Sequence, residues 1–329
     1  MECLYIFALI FVIGQVESRK INLPSKVFYK STDAEDLFIE YVHKYNKRYN
    51  EDEYDRRFQI FKENLENINE LNRKSNLTVY GINHLTDLKY EEVASTYTGM
   101  GSHIDVTSLK KYEPKGFAPA SLDYRSYGWV TEIKDQRHCN TCYIFSAIGA
   151  IEGQHAKLHG NLVSLSEQQE LDCESGDGCK TGGFPHEAMN VLAQQGGSMS
   201  EEKYPYEEGK GQCRTDKSKI VVKVTGGSQL TVSSEDDLKD ALANNGPLSI
   251  ALFICREFQH YTGGIFVHNC QGDDGHAVVL VGYDSADGQE YWIIKNSWAT
   301  VWGEQGYMRM KLGSSLCQIG YYIALASVA

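Results

Sequence analysis

The sequence predicts an α+β fold in two lobes, one helical and one an antiparallel barrel, behind a separate helical segment. Three patterns carry that expectation. From Glu51 onward Phe58, Phe61, Leu65, Ile68 and Leu71 recur every three or four positions, the spacing of a helix with one buried face. After Asp135, the apolar run Tyr143, Ile144, Phe145, Ala147, Ile148 and Ile151 reads as a buried helix. From Lys219 the chain breaks into short apolar segments bounded by turn residues: KIVVKV, LSIALFI, GGIFV, HAVVLVGY, YWIIKN and YMRMKL.

Taken in order, Leu4 to Gly14 is an apolar run of eleven residues, too short to cross a ~30 Å hydrocarbon core but of the length of a secretory h-region. Residues 1–18 are therefore expected to be a signal peptide cleaved after Ser18, although Met1 and Glu2 bring no positive charge; a short membrane anchor is the alternative. No other stretch is comparably apolar, so no membrane span is expected after signal removal. The amphipathic helix follows, and then Gly99 to Pro119, whose Gly, Ser, Thr and Pro residues mark an exposed linker open to cleavage. With the mature chain beginning near Phe117 or Ala118, about 210 residues remain, enough for two lobes with a core. In the first of these lobes Ser166 and Gln169 form a capping box before EQQELDC. A net charge of −12 and a pI near 5.3 argue against nucleic acid as the main partner.

The chemistry concentrates between Asp135 and Ala147, DQRHCNTCYIFSA. Cys142 stands where the apolar helix begins, so unpaired N–H groups and the macrodipole favour its thiolate. Gln136, six residues earlier, is placed to bind an oxyanion together with the backbone N–H of Cys142. A thiol nucleophile needs an imidazole to share its proton and an amide to orient that ring. His276, ahead of AVVLVGY, and Asn296, within YWIIKNSW, supply them, and Trp298 shields their hydrogen bond. His260 and His268, the nearest rival histidines, lack an equally apolar following strand and read as surface or loop residues. Cys139 and Cys142 also form a CxxC. Zinc needs four ligands and no second CxxC is present, so no metal is expected; a dithiol oxidoreductase remains the other reading of that pair.

The separations, 276 − 142 = 134 and 296 − 142 = 154, are close to the ~130–150 of one family. Over nearly its whole length the chain resembles the papain family of cysteine proteases, in its cathepsin L-like branch. Cys142, His276, Asn296, Gln136 and Trp298 occupy the family's catalytic, oxyanion and shielding positions. Glu53, Arg57, Phe61, Asn64, Ile68 and Asn72 match the ERFNIN pattern of the propeptides. Gly81, Asn83, Leu85 and Asp87 resemble their G-x-N-x-F-x-D motif, with Leu85 replacing the aromatic residue.

The resemblance implies a papain-like two-lobed peptidase at 118–329 behind an inhibitory helical pro-domain at 19–117 that lies backwards through the cleft. It implies disulfides Cys139–Cys179, Cys173–Cys213 and Cys270–Cys317, leaving Cys142 and Cys255 free. It places the P2 pocket on Gly182, Gly183, Phe184, Pro185, Ala251 and Gly275 with Tyr322 at its base. Protein or peptide substrates, the chain's own propeptide and cystatin-like inhibitors are the expected partners. The expected product is a monomeric endopeptidase without a cofactor, lysosomal or extracellular, reached through the secretory pathway. The chain departs from the family at Asn140 and Thr141, at Ala299 and Val301 in place of glycines, and by one extra residue between Cys179 and Gly182. Those departures motivate a rival expectation, a catalytically weakened protein that holds peptides or an inhibitor in its cleft.

Overall fold

The computed structural model describes residues 20–100 and 109–329, residue 273 excepted; the expected signal peptide and part of the expected linker lie outside the described residues. The N-terminal segment is built on α1 (Ala34–Lys44) and α2 (Glu51–Lys74). Asn50 caps α2 by accepting the Glu53 N–H (2.9 Å); acids fill its first turn and Arg73 and Lys74 its last, as the helix dipole favours. The buried face carries Ile60, Phe61, Leu65 and Ile68 together with three asparagines, Asn64, Asn69 and Asn72. These amides serve as cross-links. Asn64 donates to Thr86 O and Leu88 O (2.8 and 2.9 Å), and Asn72 exchanges two hydrogen bonds with the backbone of Tyr80. Tyr80 ends β1 (Thr78–Tyr80), and α3 (Tyr90–Tyr97) follows. Leu85 is fully buried in the main core, so an aliphatic side chain fills the site where the family motif has an aromatic one.

Within the remainder, β2 (Leu122–Asp123) precedes a helical lobe of α4 (Cys142–His159), α5 (Glu167–Cys173), α6 (Gly178–Thr181) and α7 (Pro185–Gln195). A two-stranded ribbon, β3 (Ser198–Met199) with β4 (Ile220–Val222), closes that lobe. Ser166 caps α5 by accepting the Gln169 N–H, but Gln169 spends its side chain on Gly197 and Met199, so only half of the expected capping box forms. The extra residue before Gly182 is absorbed in α6.

The second lobe comprises β5 (Val224–Leu230), α8 (Glu235–Asn245), β6 (Leu248–Phe253), α9 (Arg256–Gln259), β7 (Tyr261–Phe266), β8 (Gly275–Ala286), β9 (Gln289–Lys295), β10 (Tyr307–Lys311) and β11 (Ile323–Val328). The strand order is β1-β7-β10-β9-β8-β6-β11-β5 with β2 on β8; pairing is antiparallel except between β7 and β10. KIVVKV is therefore divided between the lobes, β4 in one and β5 in the other. α4 packs on β6, β8 and β11, and Ser146 bonds Ser249 Oγ and Val278 O, both at 2.7 Å. Gly149 and Gly153 permit that approach, because a Cβ there would stand 2.6 Å from Val279 and 2.5 Å from Pro247. A buried ionic link also joins the lobes. Lys134 meets Glu167 (2.8 Å) and Glu152 (3.2 Å), while Lys295 donates to Thr131, which bonds the same Glu152.

The structure joins Cys139 to Cys179, Cys173 to Cys213 and Cys255 to Cys270. The expected Cys270–Cys317 bridge is replaced. Cys255 caps α9 immediately after β6, which brings its Cα within 5.1 Å of that of Cys270, only 15 residues on. The Cys317 sulfur instead accepts the Cys270 N–H at 3.2 Å, so Cys142 and Cys317 are the free cysteines among the described residues.

Candidate active site

Thr141, bonded to Cys139 O, leads into α4 so that Cys142 is its first residue, fully buried. Its sulfur accepts the N–H of Ala277 at 3.4 Å, which seats it beside the strand residue that follows His276. β8 presents His276, and the chain leaving β9 presents Asn296, at 2.7 Å from His276 Nε2 through its Oδ1. The same oxygen accepts the Ser297 N–H (2.9 Å), which fixes the amide orientation. His276 therefore carries its hydrogen on Nε2, and Nδ1 holds a free lone pair. That Nδ1 is buried without a partner. The Trp298 ring lies 4.9 Å from the imidazole and Phe258 stands edge-on to it at 6.2 Å, so the His–Asn bond is shut off from water.

Gln136 is aimed by Ser297, whose Oγ donates to Gln136 Oε1 (2.7 Å) while Gln136 N–H donates to Ser297 O (2.9 Å). Its Nε2 consequently faces the cleft, donating to Cys139 O (2.9 Å) and reaching Thr98 O at 3.5 Å. Ser297 was not singled out from sequence, although its place between Asn296 and Trp298 was the available signal.

The N-terminal segment covers these groups. Trp298 donates to Tyr97 O (3.0 Å), Gly183 N–H to Gly99 O (2.9 Å) and Met100 N–H to Gly275 O (3.2 Å). Gly99 has a φ of 131°, and a Cβ on it would stand 2.1 Å from Asn140 O. Gly182, with a φ of 68°, would meet Gly99 O at 2.2 Å in the same way. Asn140 is half-buried and grips Ser95 O through its amide (3.0 Å). Further docking runs through α9: Gln259 donates to Leu85 O and Leu88 O, and Asn83 to Gln259 O. His260, expected at the surface, is fully buried at this junction, and its carbonyl accepts the Gly81 N–H.

Met100 packs on the cluster that holds Tyr322, Ala251 and Ala277. Its Cβ and the hydroxyl of Tyr321 crowd Gly275, and Phe253 stacks on Tyr321 at 5.0 Å. Tyr321 and Phe253 thus join the expected pocket residues. Phe184 and His186 lie 6.4 and 6.1 Å from the Tyr322 ring, with Pro185 between them at the start of α7.

Burial sets the protonation states. It pushes the Cys142 thiol up to about 12 against the pull of the Ala277 and Tyr143 N–H groups. It brings His276 down to about 4, partly offset by Asn296. Under the covering segment the pair is a neutral thiol and a neutral imidazole. His155 and His159 also stand one turn apart on α4, with rings 4.6 Å apart, but no group of three metal-binding side chains exists among the described residues.

A family model described as papain family cysteine protease matches residues 118–326, and one described as cathepsin propeptide inhibitor domain matches residues 38–93. The chain is 38% identical over 291 residues to a pro-cathepsin H of Medicago truncatula, covering 86% of this chain and 83% of that one. It is 37% identical to a viral cathepsin of Choristoneura fumiferana nuclear polyhedrosis virus, covering 88% and 91%. Its fold is similar to that of digestive procathepsin L 3 of the Tenebrio molitor larval midgut, with a TM-score of 0.81, 34% identity, and 89% and 99% of the two chains covered. None of these similarities supports the peptide-holding alternative.

Proposed function

The chain belongs to the papain family of cysteine proteases and is the zymogen of an endopeptidase, and from that premise we propose that Cys142, His276, Asn296 and Gln136 perform its chemistry. The observation that carries this is the free, buried Nδ1 of His276, held by Asn296 on its other side and next in sequence to the residue that touches Cys142. Cys142 passes its thiol proton to His276 Nδ1 and attacks the peptide carbonyl, and the oxyanion is received by Gln136 Nε2 and the Cys142 N–H. His276 protonates the leaving amine, then takes a proton from the water that hydrolyses the thioester. The segment from Tyr97 to Met100 lies where substrate would, with Thr98 O nearest the oxyanion donor.

Residues 1–18 are the proposed signal peptide, 19–117 the propeptide and 118–329 the enzyme. Exposed residues from Glu113 to Ala118 support cleavage there. Three disulfides among the described residues favour an oxidising route, ending in a lysosome or outside the cell. No helix of the described residues is long and apolar enough to cross a membrane. Cystatin-like inhibitors are the proposed external partners and a monomer the proposed state. Tyr322 shortens the P2 pocket toward moderate apolar side chains and away from Arg. Gly182 and Gly183 let substrate backbone approach.

The test is a peptidyl epoxide, with the adduct located by mass spectrometry before and after acid processing. A stoichiometric adduct on Cys142 that appears only once the pro-domain has gone is expected. Its absence from folded, processed enzyme would refute the assignment.

A further inference from the structure

We propose that His186 and the Tyr322 hydroxyl form a proton-dependent floor to the P2 pocket, apolar while His186 is neutral and a hydrogen-bond donor once it is charged. Acid then shifts P2 selectivity from Leu toward side chains that end in an acceptor, such as Gln. The inference rests on Tyr322 standing at the base of that pocket.

Tyr322 is fully buried, and both partners of its hydroxyl belong to His186: the backbone N–H at 3.3 Å and Nδ1 at 2.7 Å. A backbone N–H can only donate, so the Tyr322 oxygen accepts it. In the neutral ring protonated on Nε2, Nδ1 is the acceptor within reach of the hydroxyl hydrogen, which goes to it. In that state the hydroxyl is fully engaged and a P2 side chain meets only the aromatic surfaces of Tyr322 and Phe184. Adding a proton reverses the Nδ1 contact. Nδ1–H becomes a donor, the two lone pairs of the Tyr322 oxygen take Nδ1–H and the backbone N–H, and the hydroxyl hydrogen turns away from His186. The side left to it is that of Phe184 and of the cluster on which Met100 packs.

His186 is half-buried and able to take that proton. Burial lowers its pKa, and the opposing charge is Glu187 on its own helix. β5 and β11, which pack on α7, contain no ionisable side chain. α4 and α5 meet α7 through Ala188, Met189 and Leu192, and the buried Glu170 of α5 interacts with Glu187. Tyr321, next to Tyr322, stays neutral because burial raises it.

Two peptides differing only in P2 Leu or P2 Gln, cleaved by the acid-processed enzyme between pH 4 and 7.5, provide the test. The ratio of their kcat/KM values cancels the titrations of Cys142 and His276, which both share. One hydrogen bond gained corresponds to about a three- to tenfold rise in the Gln:Leu ratio toward pH 4. Tyr322→Phe should abolish the rise. His186→Phe should leave the ratio high at every pH, since the hydroxyl hydrogen then has no ring nitrogen to bind. A flat ratio in wild-type enzyme that cleaves both peptides, or a rise that survives Tyr322→Phe, would overturn the inference alone. Failure to cleave either peptide, with Cys142 unlabelled by the epoxide, would overturn the active-site reading and this inference with it.

Discussion

Gln136 shows how much of the site depends on single contacts. Two hydrogen bonds exchanged with Ser297 leave its Nε2 no orientation but the cleft, so the donor is set before substrate arrives. Replacing Gln136 by Ala should lower kcat by on the order of 10²–10³ with little change in KM, since the bond strengthens only as the oxyanion forms. Steady-state kinetics on the processed enzyme checks this, and an unchanged kcat would remove Gln136 from the mechanism. The departures from the family separate at the same scale. Of the two residues that replace glycines, Ala299 adopts a φ of 58° and bears the strain, whereas Val301 is not among the positive-φ residues and is merely exposed. Asn140, another of these departures, holds Ser95 of the pro-domain.

Elements were legible where one periodicity ruled and illegible where partners decided. α2 and α4 could be read from apolar spacing because each buries one continuous face or is buried all round. β1 could not be read. Its three residues gain strand geometry only by pairing with β7, nearly two hundred positions away. KIVVKV looked like one strand, yet the break at Lys223 sends its halves to different sheets. That Cys142, His276 and Asn296 would come together was legible because thiol chemistry demands those residue types, while the third disulfide was not, since three nearby sulfurs compete and spacing does not choose among them. The segment Tyr97–Met100 belongs to the same class, an extended stretch shaped by the cleft it fills. Its requirement for glycine is measurable. Gly99→Ala places a Cβ against Asn140 O in a backbone region that side chains avoid, costing roughly 1–3 kcal/mol, or about five- to 150-fold in the closed-to-open ratio. Uncut Gly99→Ala zymogen should cleave peptides measurably and process faster, with mature activity unchanged because residue 99 is removed. Processing at the wild-type rate would show that the segment yields without cost.

For the molecule as a whole the question is what opens it in acid. The pro-domain holds His84 half-buried, with both ring nitrogens buried and unbonded, beside a groove of about 500 Å³ shared with Tyr45, Lys47, Tyr97 and His138. Burial lowers its pKa to about 3; Lys47 and His138 add to that effect, and Asp87 opposes it. Once released and solvated, the ring returns to an ordinary value near ~6.5. The open form thus binds one more proton than the closed form between these two values. The sign follows: the contribution of neutral His84 to closure is complete above about pH 6.5 and is lost progressively as pH falls toward 3, by up to about tenfold in the closed-to-open ratio per pH unit. Opening also exposes Cys142 and His276, whose burial had kept them neutral, so the same event that frees the cleft restores the reactive thiol. His84→Phe keeps a ring in the groove but cannot take the proton. Self-processing of that zymogen should be about tenfold slower near pH 5, with a pH slope shallower by about one proton, while the processed enzyme cleaves peptides as the wild type does. A processing profile from pH 4 to 7 that superimposes on the wild type would remove His84 as the acid trigger.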